Sequence, residues 1–264
     1  AGSLTILAPA EAYPRAERAA RRALALDPDL ATAHVALAEV EADYNWQWSA
    51  AEEHLQRALV LAPNSAIVHQ ITAEFLARHG RFAEAAEHSS RSRDLDPTRV
   101  NYLAIRALHY YLEHRFDEAI AQSRAALARD PQAYLAYLYL AMSHAALGRP
   151  EAGLEAGRQA TALTGGAVPD LFVMACNHAL LNDRASADAL IARLESLART
   201  RYVDPFIFVA VHAYLGDVDR AFAWLDRAHA ARSYWLPTIK VHPVVDSLRG
   251  DPRFAAMLAK MHLE

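Results

Sequence analysis

One cysteine in 264 residues leaves nothing for an internal disulfide to join, so the fold must be held by packing alone. No run of 18 or more apolar residues occurs, and the N-terminal stretch lacks the basic, apolar, small-residue layout of a secretory signal; neither spanning nor export is expected, and the chain reads as cytoplasmic. Basic residues are not in excess: Lys and Arg total 27 against 31 Asp and Glu, a net charge of −4, which argues against a phosphate backbone as direct partner and gives no reason to expect a membrane surface. Phosphate-cradling GxxxxGK[ST], strand-borne GxGxxG, zinc-protease HExxH and nucleophile-elbow GxSxG are all missing, so no enzyme and no cofactor are expected. What is abundant is alanine, 58 residues, within a 53% hydrophobic composition. That is too apolar for disorder, and the length suffices to bury a sizeable core.

A fixed internal period organises these residues, and it appears in three registers. Segments that stop at Pro28, Pro63, Pro97, Pro131 and Gly165 recur at steps of 35, 34, 34 and 34. Gly80, His114, Gly148, Asn182 and Gly216, all 34 apart, are residues able to take a left-handed backbone. Five positions after each stands a small residue: Ala85, Ala119, Gly153, Ala187 and Ala221, with Ala51 one period earlier.

Each period reads as two helices joined by a tight turn. In the unit from Val100 to Pro131, apolar residues at three- and four-residue spacing predict helices over about 101–112 and 116–129. The proline closes the second helix, since it lacks an amide and disfavours helical geometry in the residue before it. The left-handed residue ends the first helix, and the small residue lies where the two helices cross.

This period, with its Gly, Ala and Pro phases, resembles the tetratricopeptide repeat (TPR) family over roughly residues 11–231. The resemblance implies an all-α, right-handed α–α superhelix with a C-terminal capping helix. The domain plan is a cloning scar or linker over 1–10, a solenoid of a half-unit plus about six helical pairs over 11–231, and a cap over 232–264. Three departures stand out: the family's early aromatic is usually Leu, Tyr or His here, the last two units lack the closing Pro, and the unit ending at Pro63 is one residue longer around Asn45-Trp46-Gln47-Trp48. The first unit shows only its second helix, from about Tyr13 to Leu26, as though cut from something longer. Trp235, Leu236, Val244, Leu248, Phe254, Leu258 and Met261 are expected to form the cap, with Asp251 and Pro252 opening the last helix. That tail, with His242-Pro243 and Asp251-Pro252-Arg253-Phe254, and the Tyr44–Trp48 insertion resemble the C-terminal TPR regions of bacterial multidomain regulators: winged-helix transcriptional regulators, adenylate cyclases and protein kinases.

In a TPR superhelix the first helix of each pair lines the concave surface. The resemblance therefore places Thr32, Val35, Glu39, Ala42, Ile67, Gln70, Glu74 and Ala77 on an early, mixed-polar wall. Asn101, Ala104, Leu108, Tyr111, Leu135, Leu138, Met142, Ala145, Phe172, Cys176 and Phe206 follow on an increasingly apolar one. The expected site is a groove for a peptide or amphipathic helix at Leu108, Tyr111, Leu135, Leu138, Met142, Phe172, Cys176 and Phe206, the function being that of a protein-interaction or sensing module. Two alternatives stay open: the superhelix coils tightly or the C-terminal tail folds back, so that these residues bury one another, or the apolar helices from Tyr134 to Tyr214 form a homodimer interface.

Thirteen histidines raise the question of a metal. His144, His178 and His212 recur on successive first helices, but at the offset where the family packs an aromatic, and no Cys or carboxylate series joins them; no metal is expected. His88, His109 and His114 read as solvated or capping residues. Cys176 lacks a base, since His178 projects from another face of its helix, and reads as a buried thiol.

Overall fold

The computed structural model describes residues 7–98 and 101–263, and among them there are helices and turns but no strand. Helix α1 (Pro9–Leu26) packs on α2 (Ala31–Val40), which runs on through a π-helical stretch (Glu41–Asn45) before α3 (Trp48–Leu61). The pairs α4 (Ala66–Arg78) and α5 (Phe82–Leu95), α6 (Asn101–Leu112) and α7 (Phe116–Arg129), and α8 (Tyr134–Ala146) and α9 (Pro150–Thr164) follow. Then come α10 (Val168–Leu180) with α11 (Arg184–Ala198), and α12 (Phe206–Tyr214) with α13 (Val218–Ala230). Each even-numbered helix from α2 to α12 also touches the next one in that series, giving the inner layer of a TPR-type solenoid.

The turn inside each pair forms as its sequence requires. Gly80, His114, Gly148, Asn182 and Gly216 all have φ between 57° and 75°. In every case the next amide reaches back to the third-last carbonyl of the first helix: Arg81 to Leu76, Arg115 to Tyr110, Arg149 to His144, Asp183 to His178 and Asp217 to His212, at 2.9–3.0 Å. These are Schellman caps, which satisfy carbonyls that a helix end leaves orphaned. At the helix crossings Ala51, Ala85, Ala119, Ala187 and Ala221 are buried. Gly153 fills the same place, and a Cβ there would lie 2.0 Å from Asn177 Oδ1.

The extra residue near Asn45 is absorbed by the π-helical stretch, after which Trp46 takes a left-handed φ of 57°. The region after α13 is more regular than its composition suggests. Two 3₁₀ turns, Leu236–Thr238 and Pro243–Leu248, lead to α14 (Pro252–Lys260), whose N-cap Asp251 accepts from the Arg253 amide at 2.9 Å. The start of the expected linker over 1–10 lies outside the described residues, as do Val100 and the side chain of Asn101; helix begins at Pro9. No helix among the described residues is long and apolar enough to cross a membrane.

Candidate functional site

The eight residues expected on the apolar inner wall come together on α6, α8, α10 and α12, but they do not face an open groove. Leu108, Tyr111, Leu138, Met142, Cys176 and Phe206 are buried, and Leu135 and Phe172 are half-buried. The chain's own segment from Ser233 to Leu248 covers them. Trp235 and Val241 pack on the cluster holding Leu108, Tyr111, Leu138 and Met142, while Leu236, Ile239, Val244 and Val245 join the one holding Cys176 and Phe206. A void of about 10 Å³ lies there beside Tyr111, Met142, Phe172, Cys176, Tyr214 and Val244. This is smaller than a ligand and close to the room one water needs. The physical reason is plain: an apolar wall and an apolar tail on one chain gain by covering each other.

His242 sits at the middle of that contact, with its ring centroid 5.5 Å from Tyr111, 5.3 Å from Phe206 and 6.0 Å from Trp235. Burial among these rings, and then the Arg249 and His114 charges, push it down to about 3, so the imidazole is neutral. Arg249 braces the same turn by donating to the Lys240 and His242 carbonyls at 2.7 and 3.2 Å. The segment's entry is pinned by Asp204, which accepts from the Ser233 hydroxyl at 2.5 Å and the Tyr234 amide at 3.0 Å. Burial holds the Cys176 thiol well above its ordinary range, an inert rather than nucleophilic state.

The early wall is different. Between α2 and α4 a small cleft of about 20 Å³ is lined by Ala38, Glu39, Asp43, Ile71, Glu74, Phe75 and Arg78, among others. Arg78 pairs with the buried Asp43 at 2.6 Å and donates to the Tyr234 hydroxyl at 2.8 Å, while Tyr13 donates to Asp43 at 3.3 Å. Gln70 donates to Glu74 at 2.8 Å. Glu39 keeps contact with solvent, yet lost hydration in the cleft and then the Asp43 charge raise its carboxyl to about 7. Burial raises the Glu74 carboxyl too, so the three carboxyl groups around one guanidinium are only partly ionised near neutral pH and the cleft is mildly acidic.

The homodimer alternative concerns the helices from Tyr134 to Tyr214; among the described residues of that stretch Leu163 on α9 is exposed, while α8, α10 and α12 carry no exposed large hydrophobic side chain. His144 and His212 are buried and His178 is half-buried against Asp183, 3.0 Å away, in keeping with a packing role. His114 caps α6 in the left-handed region as expected. His109 is a correction: it lies buried against Ser89, where burial pushes it down to about 3. His88 faces His69 rather than open solvent.

Sequence reasoning missed the Tyr13–Asp43–Arg78–Tyr234 network and the role of His242 as occupant of the wall. The signal available was that both irregularities, the Tyr44–Trp48 insertion and the His242-Pro243 tail, interrupt one period. In the fold the insertion meets the ends of α13 and α14. Trp46 lies 4.8 Å from the His229 ring and under the Arg232 guanidinium at 3.8 Å, and Trp48 donates to the Met261 carbonyl.

The tetratricopeptide repeat family profile matches residues 41–99 and 106–168. Among solved structures, the chain is similar to PilW, a widely conserved type IV pilus biogenesis factor, at 21% identity and a TM-score of 0.60, over 78% of this chain and 90% of that one. It is also similar to TTC0263, a thermophilic TPR protein of Thermus thermophilus, at 18% identity and a TM-score of 0.53, over 74% and 100%. A third is the APC/C hetero-tetramer Cut9–Hcn1, at 16% and 0.63, over 94% of this chain and 52% of that one. At such identities these likenesses carry the fold alone. No curated protein sequence matches. Taken with the 34-residue period and five successive left-handed caps, the profile match shows tetratricopeptide repeats over residues 41–99 and 106–168, within a solenoid of that type.

Proposed function

We propose that the chain is a non-catalytic interaction or sensing module, part of a larger bacterial signalling or transcriptional regulator, whose inner wall is divided between two occupants. The TPR fold supports the scaffold role. The apolar half, Leu108 to Phe206, is a peptide seat taken by the chain's own 233–248 segment; the acidic half between α2 and α4 receives the partner. The observation that carries this reading is that His242 and its neighbours already fill the apolar half.

Magnitudes favour this division. Leu236, Ile239, Val245 and Leu248 are fully buried, each contributing about 1.5–3 kcal/mol relative to exposure. A partner of micromolar affinity brings about 8 kcal/mol, which is comparable with the roughly 6–12 kcal/mol it would have to displace. Glu39, Asp43 and Glu74 against Arg78 suit a basic residue flanked by apolar ones, the apolar part resting near Ile71 and Phe75. Panning a displayed random-peptide library against the chain tests this. The expected peptides are rich in Lys or Arg beside apolar residues, and they lose affinity on Glu74→Lys. Acidic peptides, or binding indifferent to that charge reversal, would overturn the proposal.

A further inference from the structure

We propose that two histidine pairs, His34 with His54 and His69 with His88, are matching sites for a divalent transition-metal ion, one in each of the first two complete helix pairs. His34 on α2 and His54 on α3 bring their Nδ1 atoms to 3.0 Å; His69 on α4 and His88 on α5 bring theirs to 2.8 Å. The other ring nitrogen of each first-helix histidine is engaged in the same way: His34 Nε2 lies 3.2 Å from the Pro28 carbonyl, and His69 Nε2 lies 3.0 Å from the Pro63 carbonyl.

A carbonyl oxygen can only accept, so Nε2 of His34 and of His69 carries the proton. A neutral imidazole has one N–H, and therefore Nδ1 of each presents a lone pair to its partner. Metal-ligating histidines are held in this manner, with the distal N–H donated to a backbone carbonyl that fixes tautomer and ring orientation. In the metal-free pair the partner, His54 or His88, supplies the proton between the two rings. Metal takes that proton's place, and the partner's proton moves to its own Nε2, so no net proton is released.

The spacing suits the exchange. Metal–imidazole bonds of 2.0–2.1 Å at a tetrahedral angle set the two nitrogens about 3.3 Å apart. The pairs are a few tenths of an ångström tighter, and histidine χ2 is a soft torsion through which both rings turn to converge on one ion. All four histidines are half-buried, hence oriented by packing yet reachable from solvent. Arg21, Glu41 and Glu53 face the first pair, while Glu84 and Glu87 face the second, with Glu84 held by Arg81.

Recurrence separates these pairs from accidental contact. His34 to His69 and Pro28 to Pro63 are each 35 residues, and His54 to His88 is 34, so ligands and supporting carbonyl repeat together. The third helix pair breaks the set with Leu103 and Gln122 at the corresponding positions. Among the described residues no third His, Cys, Asp or Glu joins either pair. Water completes the coordination, and imidazole donors select copper, nickel or zinc over magnesium or calcium.

Two measurements on the intact chain test this. Under substoichiometric Cu²⁺, the imidazole NMR signals of His34, His54, His69 and His88 should broaden first, ahead of those of His114 and His262. Calorimetric titration with Zn²⁺ should show two equivalents, one after His54→Gln and none after His54→Gln with His88→Gln, helicity being checked by circular dichroism. Broadening that begins at other histidines overturns the proposal, as does Zn²⁺ stoichiometry that survives the double substitution or an absence of binding at millimolar Zn²⁺. Because the NMR arm uses the unsubstituted protein, misfolding of a variant cannot mask the answer.

Discussion

The indole of Trp48 donates to the main-chain carbonyl of Met261 at 3.0 Å, joining residues 213 apart in sequence. An open solenoid has no such bond, because each repeat touches only its neighbours and stability is a sum over adjacent pairs. Here the first complete helix pair meets the turn that ends α14. Trp46, 4% exposed, belongs to the same core cluster as Leu236, Leu248 and Met261. Gly80, at the turn after α4, stands so that a Cβ would lie 3.4 Å from Val241, and His114 Nε2 lies 3.3 Å from the Val241 carbonyl. The C-terminal segment is thus a central post around which the repeats are arranged.

Trp46→Ala should test that closure. Removing a buried tryptophan costs about 3–5 kcal/mol, and here the loss falls on a contact between the two ends of the repeat array. The unsubstituted chain should unfold in denaturant as one transition. The variant should unfold in two, the early pairs separating from the rest, and Trp46→Phe should restore most of the coupling because the indole N–H has no hydrogen-bond partner among the described residues. A loss below about 1 kcal/mol with one transition retained would mean that the closure contributes little.

The repeat itself was legible because backbone chemistry writes it locally. A left-handed cap demands Gly, Asn or an equivalent at one position, and a helix crossing demands a small residue five positions later, so Gly80 with Ala85 and Asn182 with Ala187 announce themselves. The inner wall was legible as a set of residues but not as a surface. Nothing in the spacing of Tyr111 or Phe206 says whether a foreign chain or residue 242 of the same chain will cover it, since both burials use identical apolar chemistry. The paired histidines were hidden for a related reason: His34 and His54 lie on different helices, and only their crossing geometry brings the two Nδ1 atoms together.

Gly153→Ala should be unusually costly for so small a change. The added methyl carbon meets Asn177 Oδ1 at 2.0 Å, and that side chain is held by its own bond from Nδ2 to the Val173 carbonyl at 2.7 Å. Overpacking of this kind costs about 1–3 kcal/mol. Asn177→Ala makes the room, so the double variant should be more stable than the sum of the two single losses predicts, a coupling read from chemical denaturation. Strict additivity would show that the helices part rather than compress Asn177. Gly148→Ala is the comparison: no atom lies within 4 Å, and only its φ of 66° opposes the change, by about 1 kcal/mol.

Acid should weaken the tail through His242. Its folded value of about 3 lies below the ordinary histidine value of about 6.5. A depressed base binds its proton in the unfolded chain first, so the stability it contributes is intact above about 6.5 and is lost progressively as the pH falls toward 3. His109, also held near 3, acts in the same direction. Glu39, raised to about 7, acts in the opposite one, favouring the fold as pH drops through 7. The bare pH profile therefore mixes signs, and the difference between variants is the informative quantity. His242→Gln, which keeps an acceptor near the Val244 amide, should melt at a temperature less dependent on pH between about 6.5 and 4 than the unsubstituted chain does. Parallel profiles would place the acid sensitivity elsewhere.

Tyr111→Ala separates a wall that is free for a partner from one that the chain fills itself. Were the ring free in a groove, its removal would leave stability unchanged and cost only binding. Tyr111 is instead 0% exposed, with Phe116 5.8 Å away on one side and His242 at 5.5 Å on the other. Its truncation should cost about 3–5 kcal/mol, and the loss should concentrate in the C-terminal segment, seen as faster amide hydrogen exchange at Thr238, Val241 and Val245. The buried hydroxyl faces that of Tyr214 without a well-formed hydrogen bond, so Tyr111→Phe should be neutral or stabilising, as removing a poorly satisfied buried polar group allows. Leu135→Ala, at a half-buried position on the same wall, should cost less than Tyr111→Ala. If Tyr111→Ala left both stability and exchange unaltered, the tail would be only loosely seated and the whole inner wall would be available to a partner.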